Sequence, residues 1–275
     1  MTSIDKYFKN PAALPTMPEL ATRLLRSVER DDLSLGEITG LIGRDASLSA
    51  KVLRLANSVR YSPSQTVASL RDASMLIGLR GLRELALAAA MTGLFPRDAR
   101  FDRERFWRHG VATAGYARTL APACGLDPDI AYLGGLVLRT GRILMLLQEP
   151  AQVARTEQLA LEPDSLLAQE RLALGCTHAE VSAALGQRWK FPALLVQALA
   201  AAADPAAAQP FSPLGALLRM ASTLADAGER QLPELPTLQA LHGPLMQRLN
   251  LDLAAIDHEA LSFDVLTVGV DQLLA

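Results

Sequence analysis

The sequence predicts an all-α protein, and three observations predict it. Apolar residues recur three and four positions apart along most of the chain, as in Leu20, Leu24, Leu25 and Val28, the spacing that lines one face of a helix. Capping signatures stand where such runs begin: Ser34 before Glu37 and Thr177 before Glu180 each place a hydroxyl three residues ahead of a carboxylate, so that the two cover free amides reciprocally. No segment alternates polar and apolar residues in the manner of a strand, and no internal repeat is found.

After a polar lead-in, Leu14-Pro15-Thr16-Met17-Pro18-Glu19 introduces the first helical run. Ser34 caps a short helix ending near Gly43, and Asp45 caps the next, which carries Leu48, Val52, Leu53 and Leu55 and ends at Ala56-Asn57-Ser58. Tyr61-Ser62-Pro63 breaks the chain. A fourth helix starts after Ser69 and stops near Gly78, and a fifth runs from about Gly81 to Leu94, where Phe95-Pro96 ends it. Five short, capped helices with brief links make a bundle, the N-terminal lobe, over residues 14–97.

A second lobe, 98–203, opens at Phe106-Trp107-Arg108-His109, in a helix that continues through Ala112, Ala114 and Leu120. The run Ile130 to Leu147 is apolar on nearly every face and predicts a single central helix with neighbours all round it, started by Asp127-Pro128. Gly134, Gly135 and Gly141 in it allow another backbone to come close. Further helices are expected around Gln152 to Leu161, from a cap at Asp164 or Ser165 to Leu174, from Thr177 to just before Trp189, and from Leu194 to Ala203. Asp204 to Pro210 reads as a linker into a C-terminal helical extension, 204–275, expected to pack on the second lobe. There Ser212-Pro213 caps a helix to Asp226, Leu238 to Leu249 is broken at Gly243-Pro244, and one or two helices follow Asp252. Phe95, Phe101, Phe106 and Trp107 concentrate aromatic area where one lobe gives way to the other.

Composition limits the function. With 50% hydrophobic and 20% charged residues the chain is ordinary globular material, and Arg139 and Arg142 interrupt its longest apolar run short of the ~18 uncharged residues of a membrane span. No signal-peptide core is visible, so a cytoplasmic location is expected, with no membrane partner. Cys124 and Cys176 are too few and too far apart for a disulfide scaffold or zinc motif and read as buried thiols. Residues 1–97 hold 13 basic and 9 acidic side chains, a net of +4, and the remainder 14 and 20, a net of -6. That imbalance, with aromatics at 5%, does not make nucleic acid the expected partner.

Within Gly135-Leu-Val-Leu138-Arg139-Thr-Gly141-Arg142 the chain resembles the central helix of the HD superfamily, in which a Gly-Leu-Leu-His-Asp-x-Gly-Lys pattern supplies a metal-binding His-Asp pair. Here that pair is Leu138-Arg139. Leucine cannot ligate, and a permanently charged guanidinium repels a divalent cation. Four blocks in order also resemble the HDOD family: Leu14-Pro-x-Met-Pro18, Ile42-Gly-Arg-Asp45-Ala-Ser-Leu48, Val52-Leu-Arg-Leu-Ala-Asn57-Ser58 and Leu76-Ile-Gly78-Leu-Arg80-Gly-Leu-Arg83. The resemblance covers roughly Leu14 to Ala203. It implies a helical N-terminal lobe fused to a relative of the HD fold, and a bacterial signalling protein without established hydrolytic activity.

The same resemblance places remnants of a metal site. His109 matches the first histidine, His178 one shared by several HD relatives, and Asp226 the final aspartate, but Leu138 and Arg139 replace the His-Asp pair and Ala202-Ala203 stands where intact sites have two histidines. Such a set is not expected to hold a metal or to catalyse, and no cofactor is implied. Read by themselves, His109 and His178 are structural histidines, hydrogen-bonded near a helix start or in a core, with His178 one residue after its capping threonine where it can face solvent, and Trp107 and Trp189 are core anchors. Arg139, if it points to the former metal position, needs a carboxylate, with Asp226 first and Glu180 second. The expected function is a non-catalytic signal-transduction module that binds other signalling proteins. The alternative is a pseudoenzyme that binds a nucleotide or cyclic dinucleotide through Arg139 and Arg142 without hydrolysing it.

Overall fold

Among the residues described by the computed structural model, 3–9, 14, 17, 21–23, 34–57, 67–92, 102–253 and 262–274, every regular element is helical and none is a strand. The chain divides into two compact units, one of Pro15–Arg108 with Thr267–Ala275, the other of Met1–Leu14 with His109–Leu266. The limits drawn from sequence, 97/98 and 204, do not coincide with these. Helix α4 (Arg103–Leu120) begins after the first of them and runs through residue 108, where the units divide, and residues 267–275 group with the first unit because the last helix, Val270–Leu274, packs on its helices.

In the first unit, α1 (Leu35–Gly43) begins with the predicted capping box, Glu37 N donating to Ser34 Oγ at 3.3 Å and Ser34 N donating to Glu37 Oε2 at 2.8 Å. Helix α2 (Ala46–Ala56) starts where Leu48 N donates to Asp45 Oδ1 at 3.0 Å. Asn57 then ties the following loop, its Nδ2 donating to Val67 O at 2.8 Å and its Oδ1 accepting from Val67 N at 2.7 Å. The expected fourth and fifth helices form α3 (Leu70–Thr92), divided at Gly78, whose φ of 74° and ψ of 171° are open to glycine and strained for other residues. Most of the first predicted helix, the Tyr61-Ser62-Pro63 break, Phe95, Pro96 and Phe101 lie outside the described residues.

The second unit carries α5 (Pro128–Val137), α6 (Thr140–Gln148), α7 (Pro150–Leu159), α8 (Leu166–Leu174), α9 (His178–Arg188), α10 (Ala193–Ala201), α11 (Pro213–Glu229) and α12 (Glu234–Arg248). Asp127 caps α5 as predicted, and Ser212 caps α11. By length and composition, 128–148 is the one described stretch apolar enough to cross a bilayer, but 78% of its most apolar window is buried in the fold. It is central as expected: a Cβ on Gly135 would lie 2.6 Å from Ala114 Cα, and one on Gly141 would lie 2.5 Å from both His178 O and Ser182 N. These approaches are backbone to backbone, so no side chain fits.

It is not a single helix, however. The expected unbroken run from Ile130 to Leu147 is interrupted at Leu138-Arg139, where Arg139 has φ -95° and ψ 2°. The cause is Ser182 on α9. Its hydroxyl donates to Leu138 O at 2.7 Å and accepts from Gly141 N at 2.7 Å, while Thr140 Oγ1 takes Val137 O at 2.8 Å. Backbone groups that would continue the helical ladder are thus satisfied from outside it, which permits a break in a buried helix.

Three other expectations need correcting. Neither Asp164 nor Ser165 caps α8: Ser165 Oγ donates to Glu162 O at 2.6 Å, and Asp164 has other partners, given below. Cys176 is buried, but Cys124 is only half-buried. The lead-in is not a bare polar stretch, since Asp5–Phe8 forms a 3-10 turn with Tyr7 and Phe8 buried.

Ser182→Ala would leave the Leu138 carbonyl and the Gly141 amide without their buried partner. At roughly 1–3 kcal/mol for each group, the variant is expected to lose about 3 kcal/mol in denaturant titration with its helix content retained. A loss below about 0.5 kcal/mol would show that the break does not depend on Ser182.

Candidate functional site

Arg139 has helical neighbours on both sides and yet sits outside either helix, so the break at 138–139 aims its side chain where a straight helix would not. The guanidinium meets Asp226 on α11, with Nη2 2.7 Å from Oδ1. His109 on α4 shares that oxygen, its Nε2 lying 3.0 Å away, and Thr113 Oγ1 lies 3.2 Å from the other ring nitrogen. The second carboxylate oxygen accepts from Asp164 N at 3.0 Å. His109 and Asp226 are 1% and 5% exposed, so these contacts act in a medium where charge is poorly screened. Leu138 contributes an apolar side chain to the core and only its carbonyl to the polar network.

A second cluster of the same composition lies one helical turn further on. Arg142 Nη1 contacts Glu170 Oε1 at 2.7 Å, and Glu170 Oε2 accepts from both His178 N at 2.8 Å and His178 Nδ1 at 2.7 Å. Glu170 is fully buried and His178 is 2% exposed. His178 is thus hydrogen-bonded at a helix start and buried, not turned to the solvent that its position allows: its imidazole points inward, where the buried carboxylate of Glu170 accepts from the His178 amide. Glu180, named as second choice for Arg139, is instead spent on the Thr177 capping box and on Arg171, 2.9 Å away.

The charge states follow from these contacts. Burial alone would raise the Asp226 carboxyl, but the Arg139 charge and the His109 hydrogen bond hold it far below the usual carboxylate range. Glu170 is likewise lowered to about 2, His178 and Arg142 outweighing the effect of burial. Burial and then the Arg139 charge push His109 below its ordinary value against the pull of Asp226. Burial does the same to His178 against Glu170. Both shifts favour a neutral imidazole that donates an N–H to the carboxylate, and each cluster has a further charge at its edge: Glu157 Oε2 lies 3.4 Å from Arg142 Nη2, and Arg230 Nη1 3.9 Å from Asp226 Oδ1.

An outer layer holds Asp164 in place. Its backbone is in the left-handed region at φ 68°, and its carboxylate binds the Arg219 Nε and Nη2, the second at 2.9 Å. Thr223 Oγ1 donates to Asp164 Oδ1 at 3.1 Å, and His242 Nε2 lies 3.3 Å from Oδ2. Sequence reasoning singled out His109, Arg139, His178 and Asp226, which the fold brings to two neighbouring clusters, and missed Glu170, Asp164, Arg219 and His242. The available signal for Glu170 was indirect: a buried Arg142 requires a carboxylate, but nothing local to the sequence selects this one.

The arrangement does not fit an HD-type metal. A divalent cation needs several free N or O ligands converging on one point. Here Asp226 is already engaged by a guanidinium, His109 and a backbone amide, and among the described residues no three His, Cys, Asp or Glu side chains are grouped so as to hold an ion. Of the two positions that match the His-Asp pair of the HD pattern, Leu138 is apolar and Arg139 cationic.

Fold and site together define an all-helical protein in which an arginine stands on a buried aspartate. Residues 14–205 match the HDOD domain, and the chain belongs to the HDOD family. A Treponema pallidum protein is 29% identical over 184 residues, 65% of this chain, which spans about a third (35%) of that relative's length. Among solved structures, a Shewanella amazonensis protein whose name carries a phosphohydrolase assignment is 27% identical, with a TM-score of 0.78 over 99% of this chain and 98% of its own. An HDOD domain protein of Geobacter sulfurreducens is 24% identical, with a TM-score of 0.75 over 98% and 97%. A Marinobacter aquaeolei protein assigned to signal transduction is 23% identical, with a TM-score of 0.73 over all of this chain and 60% of its own.

The lowered values fix the sign of the pH dependence. A group whose folded pKa is depressed contributes stability above its unfolded pKa and loses it as pH falls through the folded one. For His109 and His178 the loss begins below about 6.5, and Asp226 and Glu170 extend it from about 4 downward. Unfolding free energy, measured by denaturant titration, is expected to be flat from pH 8 to 7 and to fall below pH 6.5 by up to about 1.4 kcal/mol per pH unit for each histidine. Stability that holds or rises between pH 6.5 and 5 would mean that the imidazoles are protonated in the folded state.

Proposed function

We propose that this chain is a non-catalytic signal-transduction module of the cytoplasm that acts by binding other signalling proteins. The observation that carries the reading is the Arg139–Asp226 ion pair, in which a protein cation occupies a carboxylate that a metal would otherwise need. Retaining shape after losing ligands is what a recognition module requires and what a hydrolase cannot tolerate, because metal-assisted hydrolysis needs a cation to activate water and to stabilise developing charge. Membership of the HDOD family and the signal-transduction assignment of the Marinobacter protein support the same reading. The phosphohydrolase assignment of the Shewanella protein is a statement about that protein, and Leu138-Arg139 argues against carrying it over.

Binding of a nucleotide or cyclic dinucleotide has no comparable support. Its carriers were to be Arg139 and Arg142, and both guanidiniums serve buried carboxylates, Asp226 and Glu170. A phosphate at either guanidinium would compete with a carboxylate already held at 2.7 Å.

The test is metal analysis and turnover on the purified full chain. With manganese, magnesium or iron(II) supplied, the protein is expected to retain substoichiometric metal and to show no phosphodiesterase rate on bis(p-nitrophenyl) phosphate that His109→Ala removes. Stoichiometric metal with turnover abolished by His109→Ala or Asp226→Asn would overturn the reading.

A further inference from the structure

The 3-10 turn Asp5–Phe8 lies outside the residues matched to the HDOD domain, and it is attached to the second unit by side chains. Tyr7 and Phe8 are 2% and 6% exposed and join a cluster with Leu144, Met145, Cys176, Val181 and Leu185. Glu149, just past the end of α6, receives the polar ends: Tyr7 OH donates to its Oε2 at 2.6 Å, and Lys6 Nζ lies 2.6 Å from the same oxygen. Lys6 also reaches Leu174 O at 3.4 Å, and Ser3 Oγ donates to Gly175 O at 2.8 Å. On the other side the Arg188 guanidinium stands 4.2 Å from the Phe8 ring centroid. Burial and the bond to Glu149 push the Tyr7 hydroxyl far above its ordinary value, so it remains a donor at any working pH.

These contacts have the form of a bound peptide. Two aromatic anchors fill an apolar groove, one carboxylate fixes their register, and the main-chain bond that opens the turn is its own, Tyr7 N to Ile4 O at 3.1 Å. The groove walls, α6, the α8–α9 turn and α9, are tied to one another through Ser182, Gly141, Glu170 and His178 without help from the segment.

We propose that this groove is a peptide-recognition site for a lysine followed by two aromatic residues, filled in cis by Ser3–Phe8 and able to take the same segment from a second molecule when the cis copy withdraws. The proposal goes beyond the function argued above and would stand even if the lobe proved catalytic. Covalent linkage gives the cis segment a high effective concentration, so a free peptide competes poorly with it until an anchor is lost.

Full-length Tyr7→Ala/Phe8→Ala protein is titrated against a fluorescein-labelled synthetic peptide of residues 1–9, followed by anisotropy, with folding checked by circular dichroism. Saturable binding to the variant, at least ~10-fold weaker binding to the wild type, and none by a peptide with Lys6, Tyr7 and Phe8 all replaced by alanine are expected. A folded variant that fails to bind, or equal binding to both proteins, overturns the proposal. Should the double variant not fold, alkylation of Cys176 in the full chain decides, because that thiol is fully buried in the same cluster. Lys6→Glu, which sets a second carboxylate against Glu149, is expected to speed Cys176 alkylation by at least ~10-fold at an unchanged melting midpoint. Labelling that occurs only at the global unfolding rate, in wild type and Lys6→Glu alike, overturns it.

Discussion

The second unit depends on one constraint: the buried carboxylate of Asp226 and the half-buried cation of Arg139 must neutralise each other where they lie. Taking a guanidinium and a carboxylate out of water costs several kcal/mol for each ion, and this is recovered only with close geometry and with every remaining lone pair satisfied. The Asp226 carboxylate meets that condition, whereas the Arg139 Nε is buried without a hydrogen-bond partner. One oxygen is shared by Arg139 at 2.7 Å and His109 at 3.0 Å, the other accepts the Asp164 amide, and Asp164 is itself fixed by Arg219 and Thr223. Four separated parts of the chain, α4, the α5–α6 break, the segment before α8 and α11, are thereby held to one carboxylate. A metal ion would organise the same helices by a similar convergence. The arginine does it with a charge that is part of the chain and leaves no coordination site open.

The Arg142–Glu170–His178 cluster repeats the device one turn away, and the break at 138–139 relates the two. Because Ser182 takes the Leu138 carbonyl and the Gly141 amide, the chain leaves α5 and re-enters α6 with its two arginines aimed at different carboxylates. Glycine at 141 lets α9 come close enough for that serine to reach. With an arginine where the superfamily pattern has a ligand, the region is polar, bonded and largely buried. Buried ion pairs are weak as net stabilisers, and their better-attested use is to fix a unique arrangement, since a misplaced helix would strand a charge.

What could be read from the sequence was local or forced. Ser34–Glu37 and Thr177–Glu180 formed capping boxes because all partners lie within three residues, and Gly78, Gly243-Pro244 and Asp127-Pro128 act through backbone geometry that needs no tertiary context. The Arg139–Asp226 pair was legible for a different reason: a buried arginine demands a carboxylate, and the superfamily pattern put Asp226 opposite. The rest depended on distant partners. The helix break needs Ser182, 44 residues from Leu138, and the inward turn of His178 needs Glu170, itself selected by Arg142. Docking of Tyr7 on Glu149 spans 142 residues, and two aromatics in a polar lead-in gave no hint of a groove.

The most direct test of the Arg139–Asp226 constraint is a double-mutant cycle on stability in the full chain. Arg139→Leu and Asp226→Leu each leave an unpaired buried charge and are expected to cost about 3–5 kcal/mol in denaturant titration at neutral pH. Together they remove both charges, so the double variant should be more stable than the sum of the single losses allows, by about 2 kcal/mol or more. Single losses that simply add, or an Arg139→Leu variant as stable as the wild type, would contradict the account.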